Sequence, residues 1–478
     1  MLSQIIKKEI RDHMVSLRFI ILFALCVVLI PLSFYINYQS YKITASNYTN
    51  LVNSYQREFD LAKEEDQDYP EPTGFRPPSS MSVLALGFSD IIPVSFSTTE
   101  TGLTWGDSPI ASQTMLPLFG SLDYLFIVKI VVSLLAFLMT FDVVAGEKEK
   151  GTLKIALSNP VPRHQVILGK FIGGYLTILA ALLISVLIGM VIVSFLSFPL
   201  FSGKVLSRFL LILLVSFIYL ALMFTLGLFV SSSCHSSLSA FTILLLLWVV
   251  LILAFPSLSG IVARIVYPVK SEHVFNQEKA EVRSNIRREK GKELSQAVQK
   301  AGLYSGDTRL SHQEEWEQYM RLREPIAGKY EKREAELIRK LEQDYQRTNT
   351  TQNRIAVNIS RLSPASTLTY IMSDLSHTGL QERENFYQEA KVYYQQLDDI
   401  YYSKMWMDMF SIGNGYIYSL GSYREGIAER KDLPFFTYKS RGLGEVLSRS
   451  VIDIGVLVLY TLLFFLGAYF SFLRYDVR

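Results

Sequence analysis

The chain has 478 residues, of which 50% are hydrophobic and 13% aromatic, too apolar for an ordinary soluble protein, yet 19% are charged. These facts reconcile if apolar and charged residues are segregated along the chain, as in a membrane protein with polar domains. A net charge of +3 without a basic run leaves no nucleic-acid footprint, and Cys26 and Cys234 suit neither a disulfide nor a zinc site.

Residues 1–16 repeat Leu2, Ile6, Ile10 and Met14 every four positions, with Lys7, Lys8 and Arg11 off that stripe. This is the pattern of a helix lying in the membrane interface, where Ile6 and Ile10 face acyl chains and the three cations meet anionic headgroups. The alternative is a cytoplasmic extension of the first span. A bilayer crossing takes about 20 mostly apolar residues. Residues 17–36 meet that length and lack a small-residue cleavage site after them, which predicts a span rather than a signal peptide. The polar segment 37–121 follows, and its "YPEPTGFRPPSS" predicts irregular structure.

A second span is predicted over 122–144, with Lys129 snorkelling to one interface and Asp142 near the other end, facing a neighbouring helix or the headgroups. A polar loop at 145–165 precedes a third span at 166–196, a fourth at 207–230 and a fifth at 237–256. Residues 257–445 form a long polar segment before the sixth span, 446–473. Lys7, Lys8, Arg11 and Arg18, then Lys148, Lys150, Lys154, Arg163 and Lys170, then Arg474 and Arg478 all fall on one side if there are six spans. The positive-inside rule makes that side the cytoplasm. The expected fold is therefore an all-α polytopic membrane protein: six transmembrane helices, both termini cytoplasmic, and a mostly helical extracytoplasmic domain.

Within 257–445, His273–Gln299 and Gln313–Gln346 read as charged helices, the second interrupted at Pro325. Val282, Ile286, Leu294 and Val298 share one face, and Tyr330, Leu337, Leu341 and Tyr345 another. They form either an antiparallel hairpin or two separate surface helices. "FYQEAKVYYQQLDDIYY" reads as a further amphipathic helix.

No phosphate-binding loop occurs, since "GTLKIALS" and "GLFVSSSCH" lack the required spacing. The six histidines are scattered, with no metal-type pair, and no nucleophile elbow is present. The expectation is a protein without catalytic residues, metal site or cofactor of its own.

The island "FDVVAGEKEKGTLKIALSNPVPRHQVILGK" resembles a signature of ABC-2-type transporter permeases: a span running into an acidic E-x-E-x-G-T-L turn, a short helix, a Pro-x-x-Arg turn and the next span. Glu147, Glu149, Gly151, Thr152, Leu153, Pro160, Arg163 and Lys170 stand at matching places. "RPPSSMSVLALGF" and "RLSPASTLTYIMSDLSHTG" resemble a branch with two large external segments, linked by name to multicopper-enzyme maturation. No Met- or His-rich stretch here supports copper.

The resemblance implies a multi-pass permease of the bacterial inner membrane, paired with a second permease chain, identical or related, and with a cytoplasmic ATPase dimer that binds ATP and Mg. It implies that Lys150–Leu157 dock on the ATPase, with Leu153, Ile155, Ala156 and Leu157 as apolar contacts. Glu147 and Glu149 would meet basic ATPase groups or cap that helix. Gly151 would permit a close turn, Pro160 would help stop the helix, and Arg163 and Lys170 would open the third span. The cargo is unidentified: an amphipathic, lipid-linked or peptide substrate for export or extraction, or force delivered to an extracytoplasmic partner. The alternative function is a membrane-anchored scaffold or sensor acting through its external helices.

Overall fold

The computed structural model describes residues 2–65, 69–99, 102–106, 122–158, 162–196, 198, 202–303, 312–397 and 433–474. Six of the described helices are long and apolar enough to cross a membrane. In chain order the helices are α1 (Leu2–Met14), α2 (Leu17–Glu65), α3 (Tyr124–Glu149), α4 (Thr152–Ser158), α5 (Arg163–Phe195), α6 (Gly203–Ser233) and α7 (Ser237–Val266). Then come α8 (Glu272–Lys300), α9 (His312–Ser360), α10 (Pro364–Leu375), α11 (Leu380–Leu397) and α12 (Leu443–Leu473). The candidate spans are α2, α3, α5, α6, α7 and α12.

The chain divides into two compact units. The first holds the spans up to Pro256, residues 360–395 and residues 430–478. Its core is the packing of α12 on α6, α2 on α5 and α3 on α6, around buried Leu22, Ile30, Phe34, Val132, Tyr219 and Phe224.

The first span does not end where its apolar run ends. α2 continues as one helix of 49 residues, roughly 75 Å long. Backbone hydrogen bonding carries the helix on after the hydrophobic need for it stops, so part of the segment expected to be irregular is helical. A second departure follows. Strands β1 (Thr73–Phe75), β2 (Ser95–Thr99) and β3 (Gly102–Trp105) form an antiparallel sheet in the order β1-β2-β3. Phe96 of β2 packs on Trp105, Phe386, Tyr393 and Phe436, which joins the sheet to α11.

The two external motifs singled out above meet. Ser79 Oγ donates to Ser376 O (2.7 Å), Thr378 Oγ1 to Ala85 O (2.9 Å), and Phe88 N to Thr378 O (2.8 Å). Between them α10 is sunk among the spans, packed on α6 and α12, with most of its residues buried. Pro364 at its first turn and the Ser363 cap start it, as helix N-termini favour. It also touches π-helical turns in α3 (Ile127–Val132) and α7 (Val249–Ala254). In α3 the carbonyl of Lys129 accepts from Tyr219 Oη (3.0 Å) and Ser133 Oγ (2.5 Å), so the widened turn keeps its polar groups satisfied.

The second unit, described over 257–303 and 312–359, contains an antiparallel helical hairpin of α8 and α9. Phe275 stacks on Tyr345 (4.2 Å), Lys279 pairs with Glu342 (2.5 Å) and Lys290 with Glu331 (3.0 Å), so one chain number rises as the other falls. Ile286 and Tyr330 are buried as their expected faces require, whereas Leu337 is exposed. Pro325 does not interrupt α9, because it is exposed and the carbonyl it leaves unpaired can face water.

Candidate functional site

The segment from Phe141 to Lys170 is where the helix of α3 opens and rebuilds. Asp142 to Val144 form a turn, and Ser231 Oγ of α6 closes it. That hydroxyl accepts from Val144 N and Ala145 N (both 3.1 Å) and donates to Phe141 O (2.9 Å). A further helical turn, Ala145–Glu149, ends at Lys150. Gly151 then takes a φ of 73°, the left-handed conformation that glycine adopts at no steric cost. Nothing lies within 4 Å of where its Cβ would stand, so conformation rather than space fixes the residue.

α4 begins one residue later, at Thr152 rather than at Lys150. Leu153 is fully buried in a cluster with Val143, Val144, Val166, Ile167, Leu228, Ala468 and Phe472. It therefore anchors α4 on the chain's own helices, a correction to its expected role as an outward contact: an apolar side chain beside four helix ends is best buried there. The outward face carries Thr152, Lys154 and Ile155, the last 68% exposed. Thr152 Oγ1 donates to Glu147 O (3.4 Å). Leu157 lies in α4, with its side chain outside the described set, and Pro160 is outside the described residues altogether.

Several charged residues of the segment are bound by other parts of the chain. Lys170 Nζ, buried in α5, binds Glu147 Oε1 at 2.8 Å and Glu9 Oε1 of α1 at 3.1 Å. Two carboxylates offset the desolvation of one buried ammonium, and leaving either partner alone would be costly. Glu149 Oε2 accepts from Ser237 N (2.9 Å), capping α7 rather than the helix it precedes. Lys148 Nζ donates to Ser232 O and to Cys234 O (3.2 Å), at the end of α6. Arg163 Nη1 donates to Leu473 O (2.7 Å), at the end of α12. Asp142 pairs with Arg18 (2.6 Å), which also lies over the Phe141 ring. One short segment thus fastens the ends of α1, α2, α6, α7 and α12.

α1 packs along α5. A Cβ at Gly173 would stand 2.6 Å from Glu9 Cβ, so only glycine lets the two helices approach this closely. The face turned to α5 carries Ile5, Glu9 and His13. Ile6 and Ile10 are half-buried beside that face, while Lys7, Lys8 and Arg11 are exposed. The residues missed from sequence are Glu9, Lys148, Ser231 and Ser237. Two signals were available: a carboxylate on the semi-apolar side of α1, and the serine run "SSSCHSS", rich in helix caps.

The sequence matches the model of the ABC-2 family transporter proteins over residues 3–477. The chain belongs to that family. It is 35% identical over 85 residues to a probable ABC transporter permease protein NosY from Pseudomonas aeruginosa, covering 18% of this chain and 27% of that one. It is 45% identical over 51 residues to a protein of the same name from Stutzerimonas stutzeri, covering 11% of this chain and 18% of that one. The chain thus aligns with under a third of either relative's length. It is a multi-pass membrane protein of a transporter family.

Proposed function

We propose that segment 145–170 receives the movement of a cytoplasmic ATPase pair that binds ATP and Mg, and passes it to the spans. The work done is export or extraction of an amphipathic, lipid-linked or peptide substrate, or force delivered to an extracytoplasmic partner. Two permease chains, identical or related, act together in the bacterial inner membrane. The observation that supports this reading is the build of α4. It presents an exposed face of Thr152, Lys154 and Ile155, and it is rooted by Leu153 among residues of α3, α5, α6 and α12. A helix exposed on one side and fixed to several helix ends on the other moves as a rigid body and takes those ends with it.

The test acts on the exposed face, since Glu147, Glu149 and Arg163 hold the permease itself together. Ile155→Glu and Lys154→Glu, together, are expected to abolish capture of the co-expressed ATPase while the permease's unfolding temperature in detergent stays put. Undiminished capture and ATP-dependent transport in this double variant would sink the proposal.

A further inference from the structure

We propose that Lys148 and Glu149 are positioning residues that clamp the turn between α6 and α7, so that movement of α4 swings the start of α7. This rests on the coupling reading above. The clamp is sign-matched at both ends. A helix presents unpaired carbonyls and partial negative charge at its C-terminus, and unpaired N–H groups and partial positive charge at its N-terminus. The cation Lys148 meets the carbonyls of Ser232 and Cys234 where α6 ends, and the anion Glu149 meets Ser237 N where α7 begins. Adjacent side chains of opposite charge thus bracket one turn. The Ser231 hydroxyl, bonded to Phe141, Val144 and Ala145, fixes the opposite side of the same contact.

α7 is suited to being moved from this end. Its bundle packing is light, with Leu238, Ile243 and Leu246 all exposed. Phe241 meets Phe141 edge-on at 5.5 Å, beside the clamp. Farther along, its π-helical turn is held where Ser363 Oγ donates to Leu251 O. A helix gripped at its first turn and pinned at a widened turn swings about the pin when the grip moves. The acidic turn then acts by holding a span inside the permease, not by touching the ATPase.

The test uses the full chain with its ATPase, in a Cys26→Ser, Cys234→Ser background. Spin labels at Ser158 and Leu187 report α4 against α5, and labels at Ile243 and Leu187 report α7 against α5. Distances are measured without nucleotide and after trapping with ATP and vanadate. Both pairs are expected to shift with the clamp intact. In Glu149→Ala the Ser158–Leu187 shift stays and the Ile243–Leu187 shift is lost. Glu149→Gln, whose amide oxygen can still accept from Ser237 N, keeps both. If Glu149→Ala does not assemble, Lys148→Met decides: loss of the Ile243–Leu187 shift upholds the clamp. An undiminished Ile243–Leu187 shift in Glu149→Ala, or failing that in Lys148→Met, overturns it and leaves the coupling reading standing. No Ser158–Leu187 shift with the clamp intact overturns the coupling reading, and the clamp with it.

Discussion

Buried Lys170 binds both Glu147 and Glu9, and Glu149 accepts from Ser237 N at the start of α7. Glu147 and Glu149 look like groups offered to another protein, and both turn out to be bound within the chain. A linear pattern says which residues are ionised, whereas direction depends on which helix ends the fold brings alongside. The same holds at the opposite end of the spans, where Asp374 and Glu382 sit close together with opposite shifts. Burial, with Asp453 adding to it, pushes Asp374 up to about 7. Burial would also raise Glu382, but the hydrogen bond and charge of His377, the Tyr438 hydroxyl and Arg76 hold it below its ordinary value. The two carboxyls act on stability in separate pH windows. Asp374 binds its proton more tightly folded than unfolded, so its contribution is greatest below the ordinary value of 3.8 and is lost as pH rises to about 7. Glu382 contributes above the ordinary value of 4.5, and that stability is lost only as pH falls below it. Asp374→Asn should therefore flatten the decline in detergent unfolding temperature between these limits, a difference on the order of a few kcal/mol at neutral pH. A variant whose decline matched the parent's would show that Asp374 is not buried as described.

Among elements, the helical hairpin of the second unit separates apolar from ionic contributions. Lys329 binds Glu293 (2.9 Å), and Arg333 binds Glu289 (2.8 Å), all four residues largely in solvent. Exposed pairs of this kind are screened by solvent and contribute little to stability. Ile286 is 4% exposed. Truncating it to Ala removes buried methylenes and leaves a cavity, at about 2–5 kcal/mol. Ile286→Ala should accordingly raise amide exchange along α8 and α9 strongly, and Lys329→Ala hardly at all. Equal effects would mean that the charge ladder, not the seam, holds the hairpin. The hairpin was half-legible: the faces with Ile286 and Tyr330 were readable from periodicity, but the choice between an antiparallel hairpin and two separate surface helices was not, and Pro325, expected to interrupt the second helix, lies within it. The six spans were legible because about 20 apolar residues have few other uses. The sheet around Phe96 was not, since strands of three to five residues leave little period to read. Nor was α10 among the spans, because a helix of 12 residues with five Ser, Thr or Asp carries no membrane signal of its own.

For the molecule as a whole, parity sets the consequence. Between α4 and the hairpin the chain passes through three candidate spans, α5, α6 and α7, and if each of them crosses, the expected outcome is that the two are reached from opposite sides of the membrane. The positive-inside rule adds an expected direction: the loop with Lys148, Lys150, Lys154 and Arg163 should be cytoplasmic and the hairpin should be labelled from outside. Single cysteines in a Cys26→Ser, Cys234→Ser background test both statements. Lys340→Cys, on an exposed stretch of α9, should react with an impermeant maleimide in intact cells. Lys154→Cys, on the exposed face of α4, should react only after the membrane is opened. Reversed labelling would keep the spans and invert the molecule, which would remove α4 from the compartment where ATP is available. Labelling of both positions from one side would contradict the three helices between them. The orientation test therefore bears on the coupling reading before any ATPase is added, since a lever must stand in the same compartment as the motor that drives it.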